Sequence, residues 1–315
     1  MLMSKINFFK KQGFVNLGSS FLNKTEIDEL SLIAKNIYET MPEDHPDYIQ
    51  DADGTGGIRH LPLHDVKLAR IINKIISHAS VKEFLIDILG KNHKLWSVNL
   101  RRSKPGDRGL YLHQDGVGQV NMAIYIDDNP KGFGATAVLP SSHLITNSQK
   151  KMRLEMPAIL LNLFSFLFTP LVGLKGDVLF FSNRVWHGRF SNKSTERHDI
   201  VFIGFFPAGY RYSEPWSQEF IEINSGTELG RLLAAPSDID GSIVSNCECR
   251  ESSNILHSSE HGYSLDIENP GYLSKIRKPV RLLLSVFFIR LIMGAGRILY
   301  RPVKLYRRMI PHSLK

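Results

Sequence analysis

Cysteine is almost absent from this chain. Its 315 residues hold two, Cys247 and Cys249, which stand one residue apart and too close for an ordinary structural disulfide. That excludes a disulfide-stapled scaffold and suits a reducing compartment. Without further cysteines the pair reads as loop thiols rather than part of a zinc site. Long apolar runs are also missing. The greasiest stretch, Ala158 to Pro170, falls short of the roughly 18 residues a bilayer-spanning helix needs. It reads as a core helix or strand, with an apolar lid beside a site as the functional alternative. Residues Met1 to Lys5 offer no apolar stretch and no small-residue cleavage site. No secretory signal is therefore expected, and the expected location is cytoplasmic. No internal repeat is visible.

Acidic residues are missing from one region only. Residues 269–315 contain eleven lysines and arginines and no Asp or Glu, so the rest of the chain carries −3 of the total +8. The basic character belongs to the tail. From Leu282 to Ile289 only Ser285 is polar, and Arg290, Arg297, Arg301, Lys304 and Arg308 then follow at helical spacing. A spanning helix would bury Arg290 at about 2.5–3.5 kcal/mol. A helix lying in the interface plane avoids that cost, and each basic residue near an anionic leaflet contributes about 1 kcal/mol. The expectation is a peripheral membrane segment over residues 276–315, on the cytoplasmic face. The bland alternative is a helix packed on the body or on a partner. Nucleic acid is not an expected partner, because a long apolar component has no role on a phosphate backbone.

What is present divides in two. Apolar periodicity predicts a helix from about Thr25 that buries Ile27, Leu30, Ile33 and Ile37, and two more over Lys67–Ser80 and Val81–Gly90. After Lys94 short β-branched and aromatic runs take over, separated by Gly, Pro, Asn and Asp turns. Helices first and many strands afterwards indicate a mainly β, α+β fold. Its core is a double-stranded β-helix (jelly-roll or cupin-like) with an N-terminal helical buttress and a C-terminal amphipathic helix. The division expected is a catalytic domain over 1–213, an extension and linker over 214–275, and the tail over 276–315.

Two of the apolar runs end in metal-ligand residues. His113 and Asp115 close one, and alternation on a strand points both side chains the same way. Trp186, His187 and Gly188 follow the run Asp177 to Phe181. Two imidazoles and a carboxylate hold one face of an octahedron and leave three positions open, as mononuclear non-haem Fe(II) requires. Ten residues after His187 comes Arg197, which alternation places with Val201, Ile203 and Phe205. An arginine directed into a barrel needs an anion. Either Asp199 or a carboxylate ligand beside the metal could supply it. His198 then alternates outward. His143 is expected to make a structural hydrogen bond, and His60 and His64 read as solvated loop residues.

Taken in order, these features resemble the phytanoyl-CoA dioxygenase (PhyH-like) family of Fe(II)/2-oxoglutarate oxygenases over roughly Phe8 to Tyr210. The likeness rests on Gly13, Phe14 and Val15, on His113 and Asp115, on Gly134 to His143, on Gly176 to Phe181, on Trp186 to Gly188, and on Asn192, Ser194 and Arg197. One departure is Ser141, where the family usually has glycine. The resemblance implies that His113, Asp115 and His187 bind Fe(II), and that Arg197 anchors the distal carboxylate of 2-oxoglutarate. Asn99, Arg101 and Thr136 are the candidates for its other contacts. It also implies consumption of O2 and 2-oxoglutarate with release of succinate and CO2. Asp115 fills the position that halogenases of this fold leave to chloride, which favours hydroxylation. The tail and the apolar insertion suggest a lipid, lipid-linked or acyl substrate. The rivals are a zinc hydrolase on the same three ligands, which leaves Arg197 unexplained, and an inactive membrane-associated module.

Overall fold

The computed structural model describes residues 2–50, 56–114, 119–130, 132–144, 156–207, 216, 218–233, 281–289 and 291. The elements run α1 (Leu2–Gln12), β1 (Phe14–Gly18), α2 (Lys24–Thr40), β2 (Tyr48–Gln50), β3 (Gly56–Ile58), α3 (Val66–Ser77), α4 (Ala79–Leu89) and β4 (Lys94–Ser103). There follow β5 (Leu110–His113), β6 (Val120–Tyr125), β7 (Thr136–Val138), α5 (Ala158–Leu163), β8 (Thr169–Pro170), β9 (Val178–Ser182), β10 (His187–Arg189), β11 (His198–Phe206), α6 (Gln218–Ile223) and α7 (Glu228–Leu232). The strands form a seven-stranded sheet, β1-β9-β6-β11-β4-β3-β2, and a four-stranded sheet, β5-β10-β7-β8. Neighbours within each sheet pair antiparallel. The α+β jelly-roll expectation holds.

Three apolar layers follow from strand alternation. On β11, Val201, Ile203 and Phe205 join the layer beneath α2, α3 and α4. Ile200 belongs instead to the layer between the sheets, with Tyr125, Val138, Leu179 and Phe181. With both faces covered, β11 reads as a nearly continuous apolar run. The third layer lies on the outer face of the small sheet, where Leu112, Ala137 and Trp186 meet Leu161 of α5.

The helical buttress forms where periodicity placed it. Asn23 caps α2 in a reciprocal capping box with Glu26. The break between α3 and α4 falls at His78, whose Nδ1 accepts from the Ser80 amide at 3.3 Å. Helix α1 was not foreseen; it buries only Ile6 and Phe9 and has no acidic residue in its first turn. It ends at Gly13, where φ is +83° and a Cβ would stand 2.2 Å from Val185 Cγ1. Only glycine fits that crossing.

Two further segments pack on this frame. Of the anticipated extension and linker over 214–275, Trp216, Phe220, Leu229, Leu232 and Leu233 enter the layer beneath the helices. The apolar insertion becomes α5, a short turn over Ser165–Leu167 and the edge strand β8. It buries Leu161 and Phe168 but leaves Ile159, Leu163 and Phe166 exposed. The Cys247 and Cys249 pair, and the basic residues Arg297, Arg301, Lys304 and Arg308, lie outside the described residues.

Candidate active site

The centre of the site is one rung of the small sheet. His187 of β10 sits in register with His113 of β5 on one side and with Val138 of β7 on the other. The two imidazole centroids are 4.4 Å apart. Each Nδ1 meets a main-chain carbonyl two residues earlier, at 2.9 Å from Tyr111 O and 3.0 Å from Val185 O. A carbonyl can only accept, so each Nδ1 carries a proton, and in the neutral ring the lone pair then falls on Nε2. That tautomer is the one in which a ring binds metal through Nε2, with its other nitrogen fixed by an outer partner. Phe181 packs against His187 at 5.4 Å, which sets the ring orientation. The donor set and its tautomers fit a divalent first-row metal. Among the described residues no group of three or more His, Cys, Asp or Glu is arranged to hold one. The expected third ligand, Asp115, lies outside the described residues.

The co-substrate candidates Asn99 and Arg101 lie on the β4 face opposite Leu100 and Arg102, in register with Phe202 and Ile200 of β11. That face looks between the sheets. The buried Asn99 Oδ1 has no hydrogen-bond partner. Thr136, 8% exposed, stands opposite Arg189 on the same side of β7 as Val138. The fold therefore brings Asn99, Arg101 and Thr136 to the space that His113 and His187 border.

Arg197 is not brought there. It precedes β11, its side chain is 47% exposed, and its Nη1 donates to Glu39 Oε1 at 2.5 Å. The alternation with Val201, Ile203 and Phe205 was correct, but that face meets the helices and not the inter-sheet space. Asp199 is likewise not its partner. A buried Arg102 takes Asp199 through Nε and Nη2, both at 2.8 Å, lies over the Tyr38 ring at 3.9 Å, and reaches Glu39 as well. The Arg102 hydrogen bond, opposed by burial, holds the Glu39 carboxyl below its ordinary value, with further help from Arg197.

Several polar residues were misread or missed. His198, expected to face outward, is 2% exposed, and its ring lies 6.3 Å from that of Tyr125 between the sheets. Burial pushes its pKa down to about 4, against the pull of Asp127 and Asp199. Arg189 was not foreseen either. It reaches across from β10 to Ser103 Oγ of β4 at 3.2 Å and forks onto the fully buried Asp107. Its position two residues beyond His187 was the available signal. His60 and His64 are not solvated, since both bond the Asp47 carboxylate, at 2.9 and 3.0 Å. His143 does make the expected structural bond, donating from Nε2 to Lys10 O at 2.9 Å.

Comparison with known proteins agrees with this architecture. The family model for phytanoyl-CoA dioxygenase (PhyH) matches residues 9–198. The chain belongs to that family, and so to the Fe(II)- and 2-oxoglutarate-dependent oxygenases. Similar solved structures include the epimerase SnoN in complex with Fe3+, alpha ketoglutarate and nogalamycin RO. It is 15% identical with a TM-score of 0.53, over 67% of this chain and 85% of that one. EctD from S. alaskensis, in its apo form, is 18% identical with a TM-score of 0.53, over 66% and 78%. HygX from Streptomyces hygroscopicus, with nickel, 2-oxoglutarate and hygromycin B bound, is 14% identical with a TM-score of 0.50, over 66% and 88%. No curated protein sequence matches.

Proposed function

We propose that this oxygenase hydroxylates a C–H bond of a lipid, lipid-linked or acyl substrate at the cytoplasmic face of a membrane. The observation that carries the catalytic part is the His113–His187 rung, with both Nδ1 atoms tied to carbonyls, which makes Nε2 the metal-binding nitrogen of each neutral ring. In this reading His113, His187 and Asp115 hold Fe(II). Iron bound there supplies O2 activation coupled to oxidative decarboxylation of 2-oxoglutarate to succinate and CO2. The chain's own part is to position and to exclude. Phe181 keeps the His187 imidazole in place, and Ile200 and Phe202 keep the space behind it dry. Thr136 and Asn99 offer polar atoms to the co-substrate. Among the expected contacts, Arg101 is the cation on the inter-sheet face. We assign it the distal carboxylate, because Arg197 is engaged with Glu39 elsewhere. A guanidinium at that point gives a fork matched to a carboxylate.

The membrane part rests on composition, since residues 269–315 combine eleven basic residues, no acidic one and short apolar runs such as Val286 to Ile289. Among the described residues no helix is long and apolar enough to cross a bilayer. The test is aerobic incubation of the full-length protein with Fe(II), 2-oxoglutarate and a membrane extract. Succinate release that depends on the extract, with a product one oxygen heavier, is expected. Absence of succinate release above a His187→Ala control overturns the proposal.

A further inference from the structure

The outer face of the small sheet is covered by two apolar segments that are greasy on both of their sides. Leu161 of α5 faces inward and packs so close over β10 that a Cβ at Gly188 would lie 2.9 Å from it. Residues 281–289 are helical, and Leu282, Val286 and Ile289 turn onto the same layer. Phe164 and Phe288 join the two segments edge to face, with centroids 5.7 Å apart. Their opposite sides stay in the open. Ile159, Leu163 and Phe166 are 75, 68 and 66% exposed, and Leu284, Phe287 and Leu291 are 63, 67 and 60% exposed. Spacings of three and four keep Leu284, Phe287 and Leu291 on one side of their helix, while Ile159 and Leu163 stand one turn apart on α5 and Phe166 follows on the short turn after it. Eight of the eighteen exposed large hydrophobic residues among those described come from these two segments. An apolar patch of that concentration marks an interaction surface.

Charge identifies the occupant. From Met156 to Leu174 the sequence has no charged residue, and every charged residue after Glu268 is basic. A second copy docked face to face would set like charges against each other. An anionic bilayer answers both features, with acyl chains for the apolar side chains and headgroups for the flanking cations.

We propose that Ile159, Leu163 and Phe166, together with Leu284, Phe287 and Leu291, form one bilayer-docking face that holds the His187 strand against a membrane surface. The face lies back to back with the metal rung, because β10 carries His187 between the sheets and Gly188 beneath Leu161. This rests on the membrane-proximal reading above and deepens it, and the share of Ile159, Leu163 and Phe166 can fail while the basic tail still binds.

The test is flotation of the full-length protein on vesicles of equimolar phosphatidylcholine and phosphatidylglycerol. Wild-type protein is expected to float. Replacing Ile159→Ser, Leu163→Ser and Phe166→Ser together removes apolar surface without adding charge or touching the tail. That variant should partition at least about a hundredfold more weakly. A single Phe166→Trp variant gives a second readout, in which indole emission moves to the blue when vesicles are added. Wild-type flotation by the triple variant, or no emission shift, overturns the docking face; truncation after Leu291 then decides whether the tail alone binds. No flotation of wild type overturns both readings. A wild-type dimer that the triple variant turns into a monomer overturns the bilayer in favour of self-association.

Discussion

The two sheets wear different coats. Over the large sheet, α2 and α3 bury one apolar stripe and present charge outward, with Lys74 on Glu26 at 2.5 Å and Lys67 on Glu29 at 3.6 Å. Over the small sheet, α5 and the segment 281–289 bury one apolar stripe and present a second one outward. The first is the ordinary solution for a helix in water. The second is favourable only where something other than water meets it. The lesson is about division of labour, because the small sheet carries the histidine rung and the large sheet carries the stable core.

That contrast can be broken at its strongest point first. The Arg102–Asp199 pair beneath the helices is 3 and 0% exposed. Asp199→Asn leaves a buried guanidinium short of its charge partner and should cost roughly 3–5 kcal/mol, read as a fall in denaturation midpoint. Retention of wild-type stability would show that Glu39 alone satisfies Arg102. The next effect is a pH dependence. Burial, partly offset by the bond to Lys10 O, holds His143 at about 4 against an ordinary 6.5. Above pH 6.5 both folded and unfolded forms are neutral, and stability should not change on this account. As pH falls from 6.5 to 4 the unfolded chain takes up a proton that the buried ring refuses, so stability drops by up to about 3 kcal/mol. His198, also at about 4, adds a similar drop. His143→Gln should therefore flatten, but not abolish, the acid slope in urea titrations. The smallest effect belongs to the exposed stripe. Leu163→Ser should change stability by no more than about 0.5 kcal/mol, whereas a loss of several kcal/mol would mean that the stripe is packed in solution.

Much of this was legible in the sequence, and most of the failures have a common cause. Periodicity located α2, α3, α4 and the strands β4, β6, β7, β9 and β11, because an apolar period of 3.6 or 2 is a local property. His113 and His187 were found because each ends an apolar run. Alternation also grouped Arg197 correctly with Val201 and Ile203. What alternation could not reveal is which face of a doubly buried sheet looks inward, since helices and a second sheet demand the same apolar residues. Arg197 and His198 were therefore exchanged. The partner that holds Arg197 outside, Glu39, lies 158 positions away, and no local pattern reports such a pairing. The same applies to Arg102 with Asp199 and to His60 and His64 on Asp47. Helix α1 was invisible for another reason, as it carries little apolar stripe.

The most direct test is anaerobic equilibrium dialysis of the full-length protein against Fe(II), with and without 2-oxoglutarate. Wild type should bind one iron per chain. His113→Ala and His187→Ala should each bind at least about a hundredfold more weakly, at the upper end of what loss of a mere outer-shell partner costs. Iron bound equally well by either variant would contradict the shared rung on which the account stands.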